Sequence, residues 1–224
     1  MNIMKSLASL LVLACVAITS VSQVSAQEKP AVPATAKAEP QKAAQPDLAK
    51  GEAIFGGVCV ACHGPDANSV IPANPTLAQQ HPEYLIKQIT EFKSGARANP
   101  VMMGMASTLA TEADVRNVAY FLASKSAKPG SAKDKELAAL GERIFRGGVM
   151  DRQIPACAGC HSPNGAGIPN QYPRLKGQMP DYTAAQLTAF RDGVRKNSLP
   201  MSQVAAKLND REIKGLADYI AGLR

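Results

Sequence analysis

Tryptophan is absent from these 224 residues, and phenylalanine and tyrosine make up only 4% of them. A core built around large aromatic rings is therefore excluded. Histidine is nearly as scarce, at three residues, so a site that needs imidazoles has few to draw on. No segment alternates polar and apolar residues with the period of two that a half-buried strand needs, which leaves helices. The run from Leu7 to Val21 is long and apolar, yet too short and too poor in flanking charge for a spanning helix. Behind Lys5 and ahead of Val24-Ser25-Ala26 it reads as a signal peptide, residues 1–26. Lipid attachment at Cys15 is the alternative, and the strongly apolar Val16-Ala17-Ile18 argues against it. Export excludes nucleic acid as a partner.

Cys15 leaves with the signal, and the four remaining cysteines fall in two copies of one pattern, CVACH at 59–63 and CAGCH at 157–161. Residues 27–46 mix Ala, Pro, Lys, Glu and Gln without apolar periodicity and read as a flexible leader. Beyond them the chain repeats itself at a spacing of 98 residues. Cys59, Cys62 and His63 meet Cys157, Cys160 and His161, and Pro75 and Leu77 meet Pro173 and Leu175. Tyr84, Gln88, Phe92, Gly95, Arg97 and Asn99 meet Tyr182, Gln186, Phe190, Gly193, Arg195 and Asn197. Two copies of this size predict a duplicated domain, 47–128 and 134–224, joined through the polar Pro-Gly stretch Ser124–Asp134. Each half is expected to be all-α. Gly51 with Phe55, and Gly141 with Phe145, mark a first helix. His81-Pro82-Glu83 and Met179-Pro180-Asp181 start a second, Pro82 to about Lys93 and Pro180 to about Arg191. Amphipathic helices Glu112–Ser124 and Asp210–Leu223 close the two halves.

Domains this small and this poor in aromatics are marginal on side-chain packing alone, which calls for a buried, flat, apolar cofactor. Cys-x-x-Cys-His supplies its attachment: two thiols one helical turn apart meet the two vinyl groups of one haem, and the histidine is held against the iron. A thioredoxin-like redox pair would need a βαβ setting that is missing. A zinc site is disfavoured because the histidine recurs in step with each pair, in separate domains. The third histidine, His81, stands where the other half has Met179, so it reads as a capping-region residue and not a ligand. Bis-histidine ligation of both haems is arithmetically excluded. Methionine remains. Met201 serves the second half, on a loop before the last helix. For the first, the local pattern Met-x-x-(Val/Met)-Ala-x-x-Leu selects Met102, while the ungapped register selects Met103. A thioether ligand favours ferrous iron, and filling both axial positions leaves a centre that only passes electrons.

GERIFRGGVMDRQIPACAGCHSPNGAG at 141–167, RLKGQMPDYTAAQLTAFRDGVR at 174–195 and MSQVAAKLNDREIKGLADYIAGL at 201–223 resemble segments of the diheme cytochromes c4, as do GVCVACHGPDANS at 57–69 and NPVMMGMASTL at 99–109. The resemblance covers residues 47–224. It implies two tandem class I cytochrome c domains packed face to face, with haem propionates approaching each other across the interface. It also implies a monomeric periplasmic carrier, or one peripherally associated with the membrane, moving electrons from a quinol-oxidising bc complex toward a terminal oxidase. By carry-over Cys59, Cys62, His63 and Met102 hold one covalent haem c, and Cys157, Cys160, His161 and Met201 the other, the irons lying between His63 and Met102 and between His161 and Met201. Pro75 and Pro173 sit where such cytochromes hold the proximal ring by a carbonyl; an ordinary loop proline is the plainer reading.

Without the signal the net charge is +6, unevenly spread: 7 basic and 7 acidic residues over 47–130, 14 and 9 over 131–224. The two ends are expected to meet different partners, the basic end steered toward an acidic one, a bias that ionic-strength dependence of the reduction rates would report. Two rivals to a carrier remain. A diheme peroxidase or thiosulfate-oxidising enzyme would need an exchangeable or unusual ligand, and no third histidine or extra cysteine supplies one. A haem subunit of a larger membrane oxidoreductase would use the Pro-Ala leader as its tether.

Overall fold

The computed structural model of the protein describes residues 45–224. The signal peptide, Cys15 and the leader as far as residue 44 lie outside the described residues. Among the described residues there is no strand, only the isolated bridges Val149 with Ile154 and Ile168 with Tyr172. No helix among them is long and apolar enough to cross a membrane. The first half contains α1 (Leu48–Ile54), α2 (Val60–His63), α3 (Pro82–Ser94), α4 (Pro100–Ser107) and α5 (Glu112–Ala123). The second contains α6 (Lys135–Gly147), α7 (Ala158–His161), α8 (Pro180–Arg191), α9 (Leu199–Ala205) and α10 (Asp210–Gly222).

Local chemistry explains the boundaries. α3 and α8 open with Pro at the first turn and an acid, Glu83 or Asp181, beside the helix N-terminus. α5 and α10 open with capping boxes, Thr111 with Asp114 and Asn209 with Glu212. In the first half α1 runs through a π-helical turn, Phe55–Cys59, straight into α2. In the second, eight more residues separate Phe145 from Cys157 than separate Phe55 from Cys59. They form a small detour, with a 3-10 turn at Met150–Arg152 closed by the Val149–Ile154 bridge.

Each half is built on one helix crossing. A Cβ on Gly51 would lie 2.2 Å from the Asn117 carbonyl oxygen, and one on Gly141 2.0 Å from that of Gly215. Only glycine lets α1 and α6 come this close to α5 and α10. The rings of Phe55 and Phe121 meet beside the first crossing at 5.7 Å, those of Phe145 and Tyr219 beside the second at 5.5 Å. Val118 and Leu122 fill the first core, Ile144, Leu216 and Ile220 the second.

The connecting stretch has linker composition, yet it is tied at both ends. Asn68 donates to the Ser126 carbonyl and accepts from the Lys128 N–H. The buried carboxylate of Asp218 accepts the N–H groups of Lys133 and Asp134. The halves then face each other through the very residues that repeat. Arg97 donates to Gln88 Oε1 (2.7 Å), the Tyr182 hydroxyl (2.9 Å) and Gln186 Oε1 (2.8 Å). Arg195 donates to Gln186 Oε1 (3.0 Å), Gln88 Oε1 (3.0 Å) and the Tyr84 hydroxyl (3.2 Å). Tyr, Gln and Arg of each half do to the other what its counterparts do in return, the self-complementary pattern of a two-fold dimer realised inside one chain.

Candidate functional site

α2 and α7 are single turns that each end on a histidine. His63 and His161 are both 6% exposed. The Nδ1 of His63 lies 2.9 Å from the Pro75 carbonyl oxygen, and that of His161 3.0 Å from the Pro173 carbonyl oxygen. A carbonyl only accepts, so Nδ1 carries the proton in both rings and Nε2 keeps its lone pair. Burial lowers both imidazole pKa values, outweighing the opposing pull of the proline carbonyls, and favours the neutral, ligand-competent form. An outer carbonyl that fixes the tautomer and ring orientation is the arrangement found around metal-bound imidazoles.

The cysteines repeat with equal fidelity. Cys59 and Cys157 are half-buried, Cys62 and Cys160 exposed, and none is paired in a disulfide. Burial, with the neighbouring Cys62 adding to it, pushes the Cys59 thiol up to about 11. Burial likewise takes Cys157 to about 11. Thiols this basic are protonated at neutral pH, unlike the activated cysteine of a redox-exchange pair. Among the described residues no group of three or more His, Cys, Asp and Glu side chains could hold a metal ion by themselves. Each site offers one imidazole nitrogen and two thiols spaced around a turn. That donor set fits a porphyrin iron with thioether anchors, since the ring supplies the remaining nitrogens.

Met102 and Met201 stand at the same place in their halves, though on short helices and not on the loop expected from sequence. Each is the third residue of its helix, α4 after the N-cap Asn99 and α9 after the N-cap Ser198. Both are half-buried, whereas Met103 is 37% and Met105 41% exposed. Buried Ala106 and Leu109 align with buried Ala205 and Leu208 at the same 99-residue spacing. The ungapped register of 98 slips here because one extra residue precedes α9, and Leu109 to Thr111 then gives it back. Asn99 and Asn197, identical in that register, consequently do different work. Asn99 caps α4, while Asn197 donates to Gln88 Oε1 and Glu91 Oε2 across the interface.

His81 occupies the N-cap position of α3, but its side chain makes no cap. Its Nε2 instead donates to the Ala166 carbonyl of the other half at 2.9 Å. Sequence reasoning missed Gln80 and Gln178, also 98 apart. Gln178 Oε1 accepts the Thr76 N–H (2.8 Å) and its Nε2 donates to the Thr76 carbonyl (3.0 Å). Gln80 treats Arg174 in the same way, at 2.9 Å for both bonds. Their shared register was the available signal.

The cytochrome c family model matches the chain twice, over residues 48–126 and 138–224. Cytochrome c4 of Thiocapsa roseopersicina is 44% identical over 181 residues, covering 79% of this chain and 93% of that protein. The crystal structure of reduced recombinant cytochrome c4 from Pseudomonas stutzeri superposes with a TM-score of 0.76 at 41% identity, over 80% of this chain and 100% of that one. A "thiosulfate dehydrogenase electron acceptor" of Stutzerimonas stutzeri (strain A1501) is 36% identical over 192 residues, 80% of this chain and 88% of that protein. With two such matches over a doubled Cys-x-x-Cys-His frame, the chain belongs to the cytochrome c family, as a two-haem protein of the cytochrome c4 group with a haem c covalently held at each motif.

Proposed function

We propose that this protein is a periplasmic electron carrier of a respiratory chain, accepting electrons from a quinol-oxidising bc complex and delivering them to a terminal oxidase. When bound, each haem supplies a one-electron iron couple. Residues 47–128 and 134–224 form the two haem domains. Cys59 and Cys62 anchor the first haem and Cys157 and Cys160 the second. His63 and His161 would hold the irons through Nε2, with Met102 and Met201 as the thioether ligands. With both protein ligands in place no position would remain for oxygen, peroxide or substrate, which would restrict each site to electron transfer and disfavour an enzymatic role. The observation carrying this reading is the double equivalence: two buried histidines held alike by a proline carbonyl, and two half-buried methionines at the third position of matching helices.

The test is the oxidised absorption spectrum, in which methionine bonded to ferric iron gives a weak far-red band. Met102→Ala should remove the contribution of one haem and open that site to carbon monoxide, while Met103→Ala should leave band and ligand binding unchanged. Carbon monoxide binding by the untreated protein would overturn the carrier reading. The resemblance to a thiosulfate dehydrogenase electron acceptor favours a second reading, in which the same sites take electrons from a thiosulfate-oxidising enzyme. Reduction rates with each donor decide between the two.

A further inference from the structure

The peptide group that holds each proximal histidine is itself held from the opposite domain. Pro75 contributes its carbonyl to His63, and the N–H of that same peptide group belongs to Thr76. This N–H is the one accepted by Gln178 Oε1 at 2.8 Å, while Gln178 Nε2 reaches back to the Thr76 carbonyl at 3.0 Å. The second Cys-x-x-Cys-His motif shows the same chain reversed in direction. His161 donates to the Pro173 carbonyl, whose peptide N–H belongs to Arg174 and is accepted by Gln80 Oε1 at 2.9 Å. Gln80 is buried, and each glutamine is locked by also accepting the N–H of the next residue, His81 at 3.0 Å or Met179 at 2.9 Å. Each amide is therefore fixed in plane by three hydrogen bonds.

Resting on the assignment of His63 and His161 as iron ligands, we infer that Gln178 and Gln80 are positioning residues that act crosswise: each domain sets the basicity of the other domain's proximal histidine. An N–H that donates to an oxygen draws its own amide toward the charge-separated form, which makes the carbonyl of that peptide a stronger acceptor; linked hydrogen bonds reinforce one another in this way. A stronger acceptor at Nδ1–H gives a more basic imidazole, and a more basic ligand stabilises ferric iron. Gln178 thus lowers the reduction potential of the haem at Cys59 and Cys62, and Gln80 that of the haem at Cys157 and Cys160. Docking of the two domains and the redox poise of both haems become one property.

The test is a redox titration of the holoprotein followed by paramagnetic NMR, which resolves the two haems. Gln178→Leu should raise the potential of the first-domain haem, shifting its ferrous-to-ferric ratio at fixed ambient potential at least threefold, about 30 mV at 59 mV per tenfold for one electron. The second-domain haem should move much less, and the His63 Nδ1–H should exchange faster with solvent. Gln80→Leu should give the mirror result. Gln178→Asn, one methylene too short to reach both Thr76 groups, serves if the leucine variant unfolds. Equal shifts of both haems, a shift confined to the second haem, or no shift despite a lowered melting temperature would each overturn the inference. His63 ring protons without hyperfine shifts in the oxidised wild type would instead sink the ligand assignment beneath it.

Discussion

Arg97 and Arg195 are the strongest test of how the two domains are held. Both are buried, both stack on a ring (Phe92 at 4.5 Å and Phe190 at 4.4 Å), and neither has a carboxylate among its hydrogen-bond partners. Their hydrogen bonds go to amide and phenol oxygens, and Gln88 and Gln186 serve both guanidinium groups at once. Arg97→Met removes three charge-assisted bonds, each worth about 1.5–3 kcal/mol. It also relieves repulsion, since Arg97 Nη1 and Arg195 Nη2 share the oxygen of Gln88 and so lie within about 6 Å, which is ~3 kcal/mol at an effective dielectric of 20. The balance is a loss of roughly 1.5–6 kcal/mol, and the half-buried Tyr182 hydroxyl and Gln186 Oε1 keep fewer partners. For a protein of this size that lowers the melting temperature by about 3–20 °C. Calorimetry of the holoprotein should show the single transition broaden or split, as the domains lose their reason to unfold together. An Arg97→Met variant as stable as the wild type, or more so, would mean that repulsion outweighs the hydrogen bonds and that the apolar contacts around α3 and α8 hold the interface.

Two further expectations concern single residues. Gly141→Ala gains about 1 kcal/mol of helix propensity, yet its methyl would meet the Gly215 backbone and the Tyr219 Cβ, so α6 has to lift off α10. We expect a net loss of ~1–3 kcal/mol by denaturant unfolding; unchanged stability would mean the crossing is looser than it stands here. Glu212 gives a pH signature. Burial pushes its carboxyl up, but hydrogen bonds from Arg152 and the Asn209 N–H, with the Arg152 charge, bring it net below its ordinary 4.5. A depressed folded pKa contributes stability above the unfolded value and loses it as pH falls through the folded one. Glu212→Gln should therefore cost stability at neutral pH and lose less on acidification than the wild type, as read from urea midpoints at pH 7 and at about pH 3.5. Parallel curves would refute the assignment.

The helices and the haem-attachment motifs were legible because their determinants are local. Capping boxes, Pro-acid starts and a five-residue motif act within a turn or two of themselves, and α3, α5, α8 and α10 end within a residue or so of where the pattern puts them. Long-range geometry was not legible in the same way. The Ser124–Asp134 stretch reads as a free linker by composition, yet Asn68 and Asp218, distant in sequence, pin it. The methionine register was ambiguous because two single-residue changes cancel: the local pattern pointed to Met102 and the ungapped register to Met103, and the positions of Asn99 and Ser198 at their helix starts put Met102 opposite Met201.

The repeat itself shows why the residues of the domain interface escaped notice. Recurrence at a fixed spacing says that a residue is used twice, not whether it is used in a core or at an interface. Polarity separates the two cases. Leu77 and Leu175 recur and pack against the cores of their own halves, as apolar residues should. Tyr84, Gln88 and Arg97 recur with equal fidelity but carry hydrogen-bonding groups that an apolar core cannot satisfy. Tyr84 and Gln88, four apart, share one face of α3, and their twins share the same face of α8. A polar face written identically into both copies of a duplicated domain has one economical physical explanation: it meets itself. By that criterion Gln80 and Gln178, polar and in register beside the prolines that hold the histidines, belonged with the interface from the start.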